Sequence, residues 1–173
     1  MKSHRLWPLI AIIIIASVAQ LAIEGGFNFF SGRVNFILIA LILLINLTDF
    51  SAVMIFGLAS GLILDIYSGM PFGVIVISVF LTLVVLEILF VNFFTNFSFY
   101  SLMLMGLLAV LAYNFIFIIL ASGTYFIGWS DALPSWLYLS QVGWQILTTE
   151  AALLLIYFVG GYLSRRFKPM FLR

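Results

Sequence analysis

Long apolar runs separated by short polar or turn-forming clusters set the pattern of this chain. A membrane-spanning helix needs about 20 apolar residues, fewer where it packs against protein. Runs that meet this description cover residues 6–23, 34–47, 52–66, 74–94, 99–121 and 142–163. The pattern predicts an all-α membrane protein, a bundle of about six transmembrane helices. The breaks are Glu24-Gly25-Gly26, the short "NLTDFS" from Asn46 to Ser51, a Ser-Gly-Met-Pro turn at Ser68–Pro71, residues 95–98, and a longer stretch at 122–141.

Two runs admit a second reading. The segments at 34–47 and 52–66 are short, and they form either two crossings or one re-entrant unit. The first segment follows Lys2, His4 and Arg5, and "SVA" before Gln20 resembles a small-residue cleavage site, so a signal peptide competes with a retained helix. The retained helix is the simpler reading, because further long apolar segments follow.

Composition agrees with lipid as the main solvent. Of 173 residues, 65% are hydrophobic and only 8% are charged, against roughly 25% charged in soluble domains. Residues 1–173 therefore read as one integral membrane domain. The few scattered basic residues give no nucleic-acid footprint. The absence of cysteine removes disulfides, thiolate metal sites and cysteine nucleophiles. The one histidine, His4, sits in the basic leader, which leaves none for serine–histidine catalysis or a histidine-rich metal site in the membrane part. No cofactor, metal or enzymatic constellation is expected.

Lysine and arginine set the orientation. Lys2 and Arg5 precede the first segment, Arg165, Arg166, Lys168 and Arg173 follow the last, and only Arg33 lies elsewhere. Both termini are expected in the cytoplasm, which requires an even number of crossings. Loops 24–33, 67–72 and 122–141 then face outward. The last of these is aromatic. Ser130 or Asp131 as a cap, with Pro134 in the first turn, predicts a short interfacial helix. Trp129, Trp136, Tyr138 and Trp144 suit the headgroup region.

Acids and amides inside apolar segments need a reason to be there. Gly57, Gly61 and Asp65 recur every fourth residue and share one helix face. The glycines form a GxxxG pair that lets another helix approach closely. Asp65 reads either as a corner residue, bonding the amides of the following turn or of the next helix start, or as a ligand contact or proton carrier. The corner is the preferred reading. Gln20, Asp65, Asn114 and Glu150 fall at broadly similar depth, a candidate outer polar cluster. The alternative is that each bonds its own neighbours. Glu87 is a further buried acid, in the fourth segment.

The stretch "GLASGLILDIYSGMPFG", Gly57 to Gly73, resembles the signature of the rod shape-determining protein MreD family. Gly61, Leu62, Leu64, Asp65, Ser68, Gly69, Pro71 and Gly73 match its positions. The short basic N-terminus, the layout of about six spans and the basic tail are similar as well. The link "NLTDFS" departs from the family, where that link is usually basic. The resemblance implies a bacterial cytoplasmic (inner) membrane protein without enzymatic activity, with a fold similar to the S components of energy-coupling-factor transporters. It implies a scaffold that binds the bitopic protein MreC. Indirect partners would be an MreB-like filament, a RodA-like glycosyltransferase and a class B penicillin-binding protein, all serving peptidoglycan synthesis and cell shape. The competing function is a substrate-binding S component of a vitamin-type transporter. Such components often carry Ala-xxx-Ala on the first helix, whereas Ala11, Ala16, Ala19 and Ala22 include no two that are four apart.

Overall fold

The structure is a computed structural model and describes residues 15, 17–22, 34–93, 99–129 and 137–166. These residues are helical with short connections. Residue 15 and residues 17–22 are the described part of α1. The chain continues with α2 (Phe36–Leu47), α3 (Phe50–Tyr67), α4 (Val74–Phe93), α5 (Phe99–Phe126) and α6 (Leu137–Arg166). Helix is the expected solution, because a chain in lipid must satisfy its backbone polar groups within each segment.

Four helices are long and apolar enough to cross a membrane, the layout of a multi-pass membrane protein: Phe50–Tyr67, Val74–Asn92, Phe99–Phe126 and Tyr138–Phe158. The six expected spans reduce to these four among the described residues. At 12 residues, α2 is about 18 Å long, well short of a hydrocarbon core of about 30 Å. Most of residues 6–23 lie outside the described part, as do 23–33 and 94–98.

Sequential neighbours α3 and α4, α4 and α5, and α5 and α6 pack side by side, and α2 touches all four. The result is an arc of four helices around a short central one. α2 suits that place because it is apolar all round. Ile37, Leu38, Ile39, Leu41, Ile42, Leu44 and Ile45 are all buried.

Glycine lets α3 and α4 approach. A Cβ on Gly57 would collide with the Leu83 side chain, and one on Gly61 would lie 3.2 Å from the Cα of Val76. Residue numbers rise on one helix as they fall on the other, so the pair is antiparallel. On α5 and α6 the same antiparallel order runs from Phe99 against Tyr157 to Phe117 against Tyr138.

Both of the last helices exceed their expected lengths. α5 runs through Ser122-Gly123-Thr124, where the Thr124 hydroxyl donates to the Ala121 carbonyl at 2.8 Å. The stop comes at Gly128, in the left-handed region with φ 80°. There the Trp129 amide donates to the Thr124 carbonyl and the Gly128 amide to that of Tyr125, the hydrogen-bond pair of a Schellman cap. α6 starts at Leu137 rather than at 142. Tyr138 and Trp144 therefore belong to α6 and not to a separate interfacial helix. Ser130, Asp131, Pro134 and Trp136 lie outside the described residues.

Candidate functional site

The corner between α3 and α4 is the most fully built polar feature. α3 ends at Tyr67, where the Ser68 amide donates to the Leu64 carbonyl at 2.8 Å and the Ser68 hydroxyl to the Asp65 carbonyl at 3.1 Å. Pro71 fits this non-helical reversal because it lacks an amide donor. Its carbonyl accepts from the Val74 amide at 3.4 Å. Gly73 has φ 102°, a conformation that a side chain disfavours.

Asp65 is buried and reaches across this turn. Its Oδ2 accepts from the Gly73 amide at 2.7 Å and from the Val76 amide at 3.4 Å. Its Oδ1 accepts from the Ile75 amide at 3.1 Å. The amides of a first helical turn have no partner within their own helix. The positive end of the α4 dipole also favours a carboxylate there. Asp65 thus caps α4 from the preceding helix, and both of its oxygens are committed to backbone amides. Of the alternatives for this residue, the geometry has the carboxylate bonding the start of the next helix.

The remaining glycines and serines of the stretch differ in what they do. Ser60 donates to the carbonyls of Phe56 at 2.8 Å and Gly57 at 3.1 Å. Gly69 is exposed, has no positive φ and has open space where a Cβ would be. Its place in the turn requires no special backbone conformation.

The candidate outer cluster of Gln20, Asp65, Asn114 and Glu150 does not assemble as one site. Gln20 serves the start of α2, where its Oε1 accepts from the Phe36 amide at 2.9 Å and its Nε2 donates to the Val34 carbonyl at 3.0 Å. Asn35 completes that cap by accepting from the Leu38 amide at 3.1 Å. Leu41 on α2 lies against Gly57, so α2 begins about 7 Å short of the far end of α3 at 1.5 Å per residue. A helix start below the corner needs partners from the protein, and Gln20 and Asn35 provide them.

Asn114 joins a second, separate network. It donates to Gln145 Oε1 at 2.9 Å and to the Val110 carbonyl at 2.8 Å. Its Oδ1 accepts from the Tyr138 hydroxyl at 2.7 Å. The Tyr138 ring stacks on Phe117 at 5.6 Å, and Phe117 stacks on Tyr113. This network fastens the first turns of α6 to α5. The sequence places Tyr138 only among the interfacial aromatics, and Gln145 is not among the expected cluster residues. Their signal is a polar row at Tyr138, Gln145 and Thr149, which share a helical face at spacings of seven and four.

Glu150 reaches Gly106 on α5 with its side chain, and on α6 it lies five residues, about 7.5 Å, beyond Gln145, the partner of Asn114. That separation, and not a shared depth, is what splits the expected cluster. Glu87 is half-buried rather than buried, on a flank of α4. It lies on the same turn as Leu83, which is fully buried, and Ile88, which is exposed.

Comparison with known proteins adds no relative: no family model, no curated protein and no solved structure matches the chain.

Proposed function

We propose that this chain is a non-enzymatic membrane scaffold of the bacterial rod-elongation machinery, an MreD-like protein that binds an MreC-like bitopic partner. In this reading it lies in the cytoplasmic membrane with both ends inside, as an S-component-like bundle. It supports peptidoglycan synthesis through an MreB-like filament, a RodA-like glycosyltransferase and a class B penicillin-binding protein.

One observation carries the reading. The residues of the MreD-like stretch act together as one structural unit. Gly57 and Gly61 admit α4, Asp65 caps it, and Gly73 supplies the backbone conformation that brings the amides into reach. A signature made of packing and capping residues is what a scaffold needs, since helices in lipid associate through close packing and hydrogen bonds.

The test is complementation in a rod-shaped bacterium that lacks its own MreD protein. The chain is expected to restore rod shape and to co-purify with the MreC protein co-expressed from its own genome. Co-purification with an ATPase pair in place of the MreC protein would replace this reading with the transporter one.

A further inference from the structure

The α3–α4 corner and the end of α5 lie at the same end of the bundle but not at the same height. Leu41 on α2 lies against Gly57 on α3, and α2 and α3 run antiparallel across the short link Thr48-Asp49. Asn46, five residues further along α2, is therefore level with Ala52, and its side chain reaches Met105 on α5 at 3.9 Å. From this common level α3 runs to Tyr67 and α5 to Phe126. α5 thus rises about six residues, or 9 Å, beyond the end of α3 at 1.5 Å per residue. The opposite end of α3 gives an independent reference. Asp49 is exposed there, and an exposed carboxylate does not belong in hydrocarbon. Tyr67 is 18 residues, about 27 Å, from Asp49, which is less than the hydrocarbon thickness of about 30 Å.

The chemistry of the corner agrees with that depth. Ile66, Tyr67, Met70 and Phe72 are exposed, Tyr67 and Phe72 each at 71%. No residue between Asp65 and Glu87 is charged, and Asp65 itself is buried. The Ser68 hydroxyl turns back to the Asp65 carbonyl, and the carboxylate of Asp65 serves the amides of α4. The polar groups of the corner are thus spent inward, and its outer surface is apolar and aromatic. A turn that projects into water has no reason to present such a surface. The end of α5 carries Tyr125, Phe126 and Trp129, all exposed, and aromatic residues of this kind gather where hydrocarbon meets headgroups.

We infer that the α3–α4 corner is a lipid-binding surface sunk below the membrane surface: Ile66, Tyr67, Met70 and Phe72 lie against the upper acyl chains of the leaflet, while the end of α5 stands in the headgroup layer above them. The occupant is lipid. A water-soluble partner would have to approach through the headgroup layer, and the corner offers it no exposed charge. The span of α3 is slightly short of the hydrocarbon core, and a bilayer meets such a mismatch by thinning locally. The stretch Gly57–Gly73 is then closed to proteins in the aqueous phase on that side. This placement does not depend on the scaffold reading.

The chain has no cysteine, so a single introduced cysteine carries one spin label. The full chain is labelled at Phe72→Cys or at Phe126→Cys and reconstituted in vesicles of phosphatidylethanolamine and phosphatidylglycerol. Both side chains are exposed, and Met70→Cys serves as a second corner position if Phe72→Cys fails to fold. Depth is read from collisions with oxygen, which concentrates in the acyl layer, and with a water-soluble nickel chelate, which is excluded from it. The corner label should lie about 9 Å deeper than the α5 label and collide with the chelate several-fold less often. Equal depths for the two positions, whether both wet or both dry, would overturn the placement, and so would a corner label more open to the chelate than the α5 label. The same cysteines are then treated in native membranes and in the vesicles with a maleimide that does not cross membranes. Protection of Phe72→Cys in both settings is expected. Protection in native membranes with reaction in the vesicles would mean that a protein, and not lipid, covers the corner, and would overturn the choice of occupant.

Discussion

Asp65 on α3 accepts the Gly73 amide at 2.7 Å, so an acid at the end of one helix holds the last residue before the next. Gly73 presents its amide because it sits at φ 102°. The carboxylate and the left-handed glycine are two halves of one device that reverses the chain and starts α4.

Removal of the acid should be graded by how many amides lose their acceptor. Asp65→Leu leaves the Gly73 and Ile75 amides, and the more distant Val76 amide, without that acceptor, at about 1–3 kcal/mol for each well-formed bond. Asp65→Asn retains one acceptor oxygen and turns an NH2 group toward the remaining amide. The expected order of thermal stability in detergent is Asp, then Asn, then Leu. Equal loss in Asn and Leu with normal accumulation in the membrane would mean that charge, and not capping, is what position 65 supplies.

The two glycines of the turn should behave differently. Gly73→Ala places a side chain in the left-handed region, at a cost of about 1–2 kcal/mol. Gly69→Ala meets open space without positive φ and should be close to neutral. Thermal midpoints of the two variants, measured side by side, check this contrast.

Gly61→Leu acts on a backbone neighbour. The Cα of Val76 is 3.2 Å from the position of the new Cβ, so no side-chain rotation relieves the contact and α4 must move away from α3. The expected result is an aggregated or degraded protein and no rescue of cell shape. Full complementation by this variant would show that close α3–α4 packing is dispensable. Gly57→Ala should be milder, because its obstacle is the end of the Leu83 side chain.

The link between Asn114 and Tyr138 is measurable as a coupling energy. Tyr138→Phe removes the donor and keeps the stacking ring, and Asn114→Leu removes the acceptor. A double-mutant cycle should give about 0.6 kcal/mol, the average for such pairs in membranes, and no more than about 1.7. A coupling of zero would mean that the stack on Phe117 alone seats the start of α6.

The sequence by itself determined that the chain lies in lipid, that its segments are helices, and that a corner stands at residues 65–73. Apolar length fixes the first two, because lipid offers the backbone no other partner. Local spacing fixes the third, because Asp65 meets amides only a few residues further on. The tertiary structure decided what faces what. Helices that are apolar on most sides carry little periodic signal, so neither the burial of α2 nor the exposure of much of α6 could be read in advance. The fit of Leu83 to Gly57, and of Leu153 and Glu150 to Gly106, supplies that information. Packing also sorted the polar residues. Gln20 went to the start of α2, Asn114 to Tyr138 and Gln145, and Glu150 to Gly106, where its Oε1 has no partner among the described residues, because hydrogen bonds are chosen by three-dimensional neighbours and not by depth alone. The same effect lengthened α6: Tyr138, an interfacial aromatic by its sequence context, bonds to Asn114 and stacks on Phe117 inside the first turn of the helix.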